Sequence, residues 1–242
     1  MKIAYTFIRS DFQGSVGADT LSCKSTGYRR TTKECFISST PAFAALNETI
    51  DPSSTVFAFD DWTLVFRGTP GIGTNPKLAW IGTEGVTSTD ETCMSLSATS
   101  CRQHYRDPVV DQWDNLRITE VKISFYKDDN EKYIIFNGTD TTISDWFQKE
   151  RILSSSWSGM EQKSFTYFSL EGHASRNFFT SSYYGCDHDE IFTLVLTSHV
   201  LLCTYDIHTT YPQFLFATEN AAGRPESLSG VAFADVFAIF VK

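Results

Sequence analysis

Val121, Ile123 and Phe125 alternate with Lys122, Ser124 and Tyr126. A period of two puts the first set on one face of an extended chain and the second set on the other. The polar run from Lys127 to Lys132 comes next, and Tyr133-Ile134-Ile135-Phe136 returns. The pattern predicts an antiparallel hairpin with one wet face. Comparable apolar stretches recur at 56–59, 62–66, 165–170, 177–179, 191–196, 214–217 and 236–241. Residues 191–196 and 236–241 are apolar almost throughout, as expected of strands buried on both faces, and the second should lie centrally in its sheet. With 20 Phe, 10 Tyr and 5 Trp, the chain carries the large rings that favour strands and fill a core.

The expected fold is mainly β, sandwich-like, with one or two short helices; α+β is the alternative. The chain's 242 residues suit one large domain, or one domain with a fragment of another. Residues 1–46 carry two cysteines, 41–54 read as a linker, and 55–242 form the β-rich domain. Within that domain, Asp145 and Gln148 have capping-box spacing and predict a short helix. Ile143, Trp146, Phe147 and Leu153 would be its apolar stripe. Lys77-Leu78-Ala79-Trp80 reads as a short helix or strand. Asn137-Gly138 should break the ladder, because both residues tolerate positive φ.

A formal charge of −9 excludes a nucleic-acid backbone or an anionic membrane surface as the natural partner, since both call for a cationic surface. No apolar run is long enough to span a bilayer. Six cysteines fall into three close pairs, Cys23 with Cys35, Cys93 with Cys101 and Cys186 with Cys203. Proximity favours those disulfides, and none of the spacings resembles a zinc site. Asn47-Glu48-Thr49 and Asn137-Gly138-Thr139 match the N-glycosylation pattern. Together these features predict a secreted, extracellular protein.

Cys186-Asp187-His188-Asp189-Glu190 is the strongest chemical candidate. Hard cations want several oxygen ligands, so Asp187, Asp189 and Glu190 are candidate calcium ligands. A solvated acidic loop is the plainer alternative. Trp157, Tyr183 and Tyr184 could stack on sugar faces, with His188 beside them; buried core rings are the alternative. The glycine-rich run 67–76 follows a strand but lacks a GK[ST] motif. Pro70 and Pro76 also delete donors that a phosphate cradle would use, so a structural turn is expected. The serines at 154–156 have no nucleophile elbow around them.

Cys23-Lys24-Ser25-Thr26-Gly27-Tyr28, followed by Cys35-Phe36-Ile37, resembles the second half of a PAN/apple module. The helix cysteines of that module are absent, and a disulfide-closed hairpin is the alternative. From Trp62-Thr63-Leu64-Val65-Phe66-Arg67-Gly68 to Ala234-Asp235-Val236-Phe237-Ala238-Ile239-Phe240-Val241, the chain resembles secreted extracellular domains of cnidarians and molluscs. These include skeletal-matrix-type proteins, often preceded by PAN/apple or EGF-like modules. In that family Tyr-Gly-Cys is followed by Gly-Trp and later by Cys-Pro-Trp. Here Glu190-Ile191-Phe192 and Cys203-Thr204-Tyr205 stand in those places. The Trp62–Phe66 opening and the Cys-bounded late loop also bear a distant similarity to fibrinogen C-terminal domains. The resemblance carries no established activity over to this chain. The leading expectation is a lectin-like module binding an extracellular glycan or protein. A structural matrix component, or an enzyme or small-molecule-binding protein with an aromatic-lined pocket, are the alternatives.

Overall fold

The computed structural model describes residues 62–83, 88, 91–97, 100–182, 184–199 and 203–242, with the backbone of four short strands before them. The chain divides into two compact units, Met1–Ser39 and Thr40–Lys242. In the first, Gly27–Arg29 (β1) and Glu34–Phe36 (β2) form an antiparallel hairpin with Tyr28 opposite Cys35. Cys23 and the Cys23–Cys35 pairing lie outside the described residues. In the second unit, Leu46–Asn47 (β3) pairs with Ala58–Phe59 (β4).

The body of the second unit is two antiparallel sheets. One has six strands, in the order Tyr105–Arg106 (β6), Thr63–Gly68 (β5), Val236–Val241 (β15), Glu120–Lys127 (β7), Asn130–Asn137 (β8) and Ile152–Ser155 (β9). The other has five, Tyr167–Ser169 (β10), Arg176–Ser182 (β11), Glu190–Leu196 (β12), Gln213–Ala217 (β13) and Val231–Phe233 (β14), in chain order. The two strands that are apolar almost throughout, β12 and β15, are inner strands of their sheets, as their sequences lead one to expect. The β7–β8 hairpin is tighter than its polar run suggests. Only Asp128 and Asp129 lie outside the ladder, both with positive φ (48° and 62°), the twist a two-residue hairpin turn needs.

The inner faces meet in one aromatic core. Phe125 stacks on Phe216 at 6.0 Å, and Phe237 reaches both Phe178 at 4.9 Å and Phe214 at 5.6 Å. Trp80, at the end of the short helix Pro76–Trp80 (α1), meets Trp113 and Trp146 edge to face. The indole N–H groups of Trp80 and Trp146 both donate to the Ile143 carbonyl at 2.9 Å, so one oxygen satisfies two buried donors. Phe178 enters this core from a bulge in β11 with φ at 42°. The bulge turns Phe178 inward while its neighbour Phe179 stays on the outer face.

Two local expectations are corrected. Asp145 does not cap a helix; its Oδ1 accepts from the Thr142 amide at 2.7 Å, and a turn leads to the single 3-10 turn Lys149–Arg151. Leu153, placed on the helix stripe, instead stands on the edge strand β9 and is 56% exposed. The ladder does end at Asn137, but Gly138 has no positive φ; close packing is what calls for glycine there. A Cβ there would lie 2.7 Å from Ile118 Cγ2. Trp146→Ala should therefore cost about 3–5 kcal/mol in urea unfolding. Leu153→Ala should change stability by less than about 0.5 kcal/mol; a large loss would restore the buried stripe.

Candidate functional site

The five-stranded sheet carries an unusual side chain on its outer face. Arg176, at the head of β11, is 2% exposed. Its Nε donates to Asp206 Oδ1 at 2.9 Å and its Nη2 to Oδ2 at 2.5 Å, a two-bond fork that suits a planar guanidinium. The guanidinium lies 4.8 Å from the Tyr205 ring centre and 5.8 Å from that of Phe179. Burial works against its charge, but the hydrogen bonds to Asp206 prevail and raise the Arg176 pKa.

The same contacts fix the segment after the Cys186–Cys203 disulfide, whose Cα atoms are 5.4 Å apart. Asp206 Oδ2 accepts from the Cys203 amide at 2.9 Å. Tyr205 Oη donates to Asp189 Oδ2 at 2.8 Å, while Asp189 Oδ1 accepts from the Tyr184 amide at 3.1 Å. Burial pushes the Tyr205 phenol up, so it stays a donor; Arg176 opposes that shift and Asp189 reinforces it. A third loop is tied in by Thr204 Oγ1, which donates to Glu226 Oε1 at 2.6 Å. A pair of Ile191–Gly223 backbone bonds, both 2.9 Å, completes the clasp.

The result is a rim of three loops, 184–190, 203–208 and 223–229, held from beneath by buried polar groups. Outward it presents Tyr184 at 69% exposure, Leu228 at 51% and Ile207 at 50%. Asp187 and His188 are exposed beside them, and Glu190 Oε1 lies 4.0 Å from Arg224 Nη2. Composition here grouped carboxylates that the fold separates. Asp189 points inward, Asp187 outward and Glu190 toward Arg224. Among the described residues no three His, Cys, Asp or Glu side chains gather as a metal site, so the fold does not bring Asp187, Asp189 and Glu190 together.

Trp157 is also corrected. It is a core ring whose Nε1 donates to the Ala217 carbonyl at 3.0 Å, packed edge to face with Phe192. Tyr184 and His188 stand on the rim, and Tyr183 lies outside the described residues. Arg176, Tyr205, Asp206, Ile207 and Leu228 were not singled out from sequence. The one signal for the pair was an arginine opening a strand built around Phe178 and Phe179, with Asp206 three residues beyond a cysteine.

The glycine-rich run is a turn, as expected. The Gly71 and Gly73 amides donate to the carbonyls of Pro212 (2.9 Å) and Tyr211 (2.7 Å), so they are not left for a phosphate. The run borders an open groove of about 470 Å³, lined also by Thr197–His199 and Thr209–Tyr211. The other disulfide loop, Cys93–Cys101, is fastened to β5 by Arg67. Its Nε donates to the Ser95 carbonyl at 2.8 Å and its Nη2 to that of Ser97 at 3.3 Å. Next to it, buried His104 accepts the Thr69 amide at Nδ1 (3.0 Å) and sits 3.1 Å from the Thr74 carbonyl at Nε2. That arrangement suits the neutral ring with its proton on Nε2, and burial lowers the pKa to about 4. Comparison with protein-family models, curated proteins and solved structures finds no match for the chain.

Two predictions follow from these charges. Asp206→Ala strands a buried guanidinium and should cost about 3–5 kcal/mol in chemical unfolding, whereas replacing both partners (Arg176→Met with Asp206→Leu) should be far milder. Equal losses would mean that the ion pair itself supplies net stability. His104 holds its proton less tightly folded than unfolded. Stability should therefore be complete above about pH 6.5 and fall by about 3 kcal/mol as pH drops to about 4. His104→Gln should flatten that slope in unfolding curves taken across this range.

Proposed function

We propose that the chain is a secreted, disulfide-bonded glycoprotein that acts as a binding module for an extracellular glycan or protein, without catalysis. The observation that carries this reading is the rim itself. A disulfide and a buried ion pair fix two loops, hydrogen bonds tie in the third, and together they hold Tyr184, Ile207 and Leu228 out in water. Exposed apolar groups on rigid supports suit recognition, since they bury area with little ordering cost.

The compartment is supported by two disulfides, which persist under oxidising conditions. Among the described residues no helix is long and apolar enough to cross a membrane. Asn137 is exposed at the end of β8, as is Thr139, and the Asn137 Oδ1 accepts from the Thr139 amide at 2.9 Å. The side chain of Asn47 lies outside the described residues.

The test uses protein produced through a eukaryotic secretory pathway. Asn137→Gln should remove one glycan by intact mass, and unchanged mass would discard that site. On a glycan array or with a purified partner, binding should fall about tenfold in Tyr184→Ala and survive a calcium chelator. Loss of binding on chelation would restore a metal, and indifference to Tyr184→Ala would move the site off the rim.

A further inference from the structure

We propose that the rim binds a basic, apolar polypeptide segment of a partner protein, seated across Tyr184, Ile207 and Leu228. The inference rests on the reading of the rim as the binding surface and adds the class of partner. Four large apolar side chains are prominently exposed among the described residues, and three of them share this rim; Leu153 on β9 is the fourth. Chance scatter gives single exposed apolar residues, whereas a cluster on one set of clasped loops marks an interaction surface.

The backbone beneath one of them is strained. Leu228 has φ at 52°, a left-handed conformation that glycine or asparagine adopts far more readily. It sits in the turn closed by the Arg224–Ser229 amide–carbonyl pair, with bonds of 2.8 and 3.1 Å. A leucine held in this conformation with half its surface in water contributes neither local ease nor core burial. Strain of this kind is held in place by the surrounding structure and clusters at functional sites.

Charge selects the partner. The three loops and Arg176 carry five carboxylates (Asp187, Asp189, Glu190, Asp206 and Glu226) against two guanidinium groups. Asp189, Asp206 and Arg176 are consumed in the buried network. Outside it, Asp187 is exposed, Glu190 lies 4.0 Å from Arg224 and Glu226 accepts from Thr204; three carboxylates against one guanidinium leave the rim net negative, which steers and orients a basic segment. Chemistry also favours polypeptide over sugar. Ile207 and Leu228 offer neither a flat ring nor a hydrogen bond to a sugar hydroxyl, but they suit the aliphatic side chains at the centre of a protein interface.

The test pans a library of short random peptides on phage against the glycosylated protein and against Tyr184→Ser/Leu228→Gly. Glycine accepts φ at 52°, so Leu228→Gly alone should keep or raise the unfolding temperature. Lost binding then cannot be ascribed to lost folding. The wild-type pool should be enriched in Lys and Arg together with aliphatic or aromatic residues relative to the variant pool. Synthetic copies should bind the variant on the order of tenfold more weakly, and wild-type binding should weaken with salt. Asp128→Asn/Asp129→Asn, at the distant β7–β8 turn, should leave peptide binding unchanged. Identical pools, or an acidic or wholly polar wild-type pool, would overturn the proposal. A glycan array run in parallel separates the two readings: sugar binding lost in the variant keeps the rim and discards the polypeptide. If the protein binds peptides and sugars equally well with and without the rim substitutions, the rim itself is discarded.

Discussion

A guanidinium taken out of water must have its charge answered where it lies, because the cost of leaving it bare runs to several kcal/mol. Arg176 makes that demand on the outer face of the five-stranded sheet, and Asp206 meets it with a fork of two hydrogen bonds. Much else depends on this pair. Asp206 can reach Arg176 only if the segment after Cys203 turns down over the sheet. That turn brings the Tyr205 ring against the guanidinium and its hydroxyl to Asp189. Asp189 in turn holds the Tyr184 amide. The Cys186–Cys203 bond restricts the unfolded chain, but a single covalent link leaves two loops free to pivot. The ion pair and its tyrosine remove that freedom.

The two faces of the sheet divide the work. Inward, Phe178, Phe192, Phe214 and Phe216 join the shared core and hold the sandwich together. Outward, Phe179, Leu194, Leu196 and Leu215 would be wet without the segment that carries Tyr205 and Tyr211 across them. Tyr211 closes this cover by donating to the Asp206 carbonyl at 2.5 Å while accepting the His208 amide at 2.9 Å. Apolar burial therefore favours the cover, and polar bonds choose its register. Hydrophobic contact is non-directional; hydrogen bonds to a fixed charge are not.

Much of the sandwich was legible in the residues. Alternation in β7 and the nearly continuous apolar runs of β12 and β15 announce strand, face and central position, because side-chain period and burial both act locally. The failures share a cause. Asp145 and Gln148 have helix-cap spacing, yet the Asp145 carboxylate served the amide of Thr142 behind it, a choice that spacing does not encode. Asp187, Asp189 and Glu190 are contiguous, yet successive side chains leave an extended backbone in opposite directions, and only the fold supplies Tyr205 as a partner for the inward one. Trp157 looked like a ligand platform until β13 provided the Ala217 carbonyl for its indole. In each case the fold chose among partners that the local pattern left open, and for Asp189 and Trp157 the chosen partner is distant in sequence.

The rim was the hardest part to read for a further reason. Its supporting residues are polar and buried, against the usual sorting of side chains, and its presenting residues are apolar and exposed. Each group looks ordinary alone: an arginine at a strand start, an isoleucine after a short turn, a leucine among serines. The inversion becomes visible only when 176, 189, 205 and 206 are seen to meet beneath 184, 207 and 228. That inversion is also what fits the rim to bind. Exposed apolar groups on slack loops would collapse onto the sheet or fluctuate, and a ligand would then have to supply the cost of ordering them. Here the loops are already ordered in folding by the ion pair, the disulfide and the hydrogen bonds that join them, none of which a ligand needs to touch.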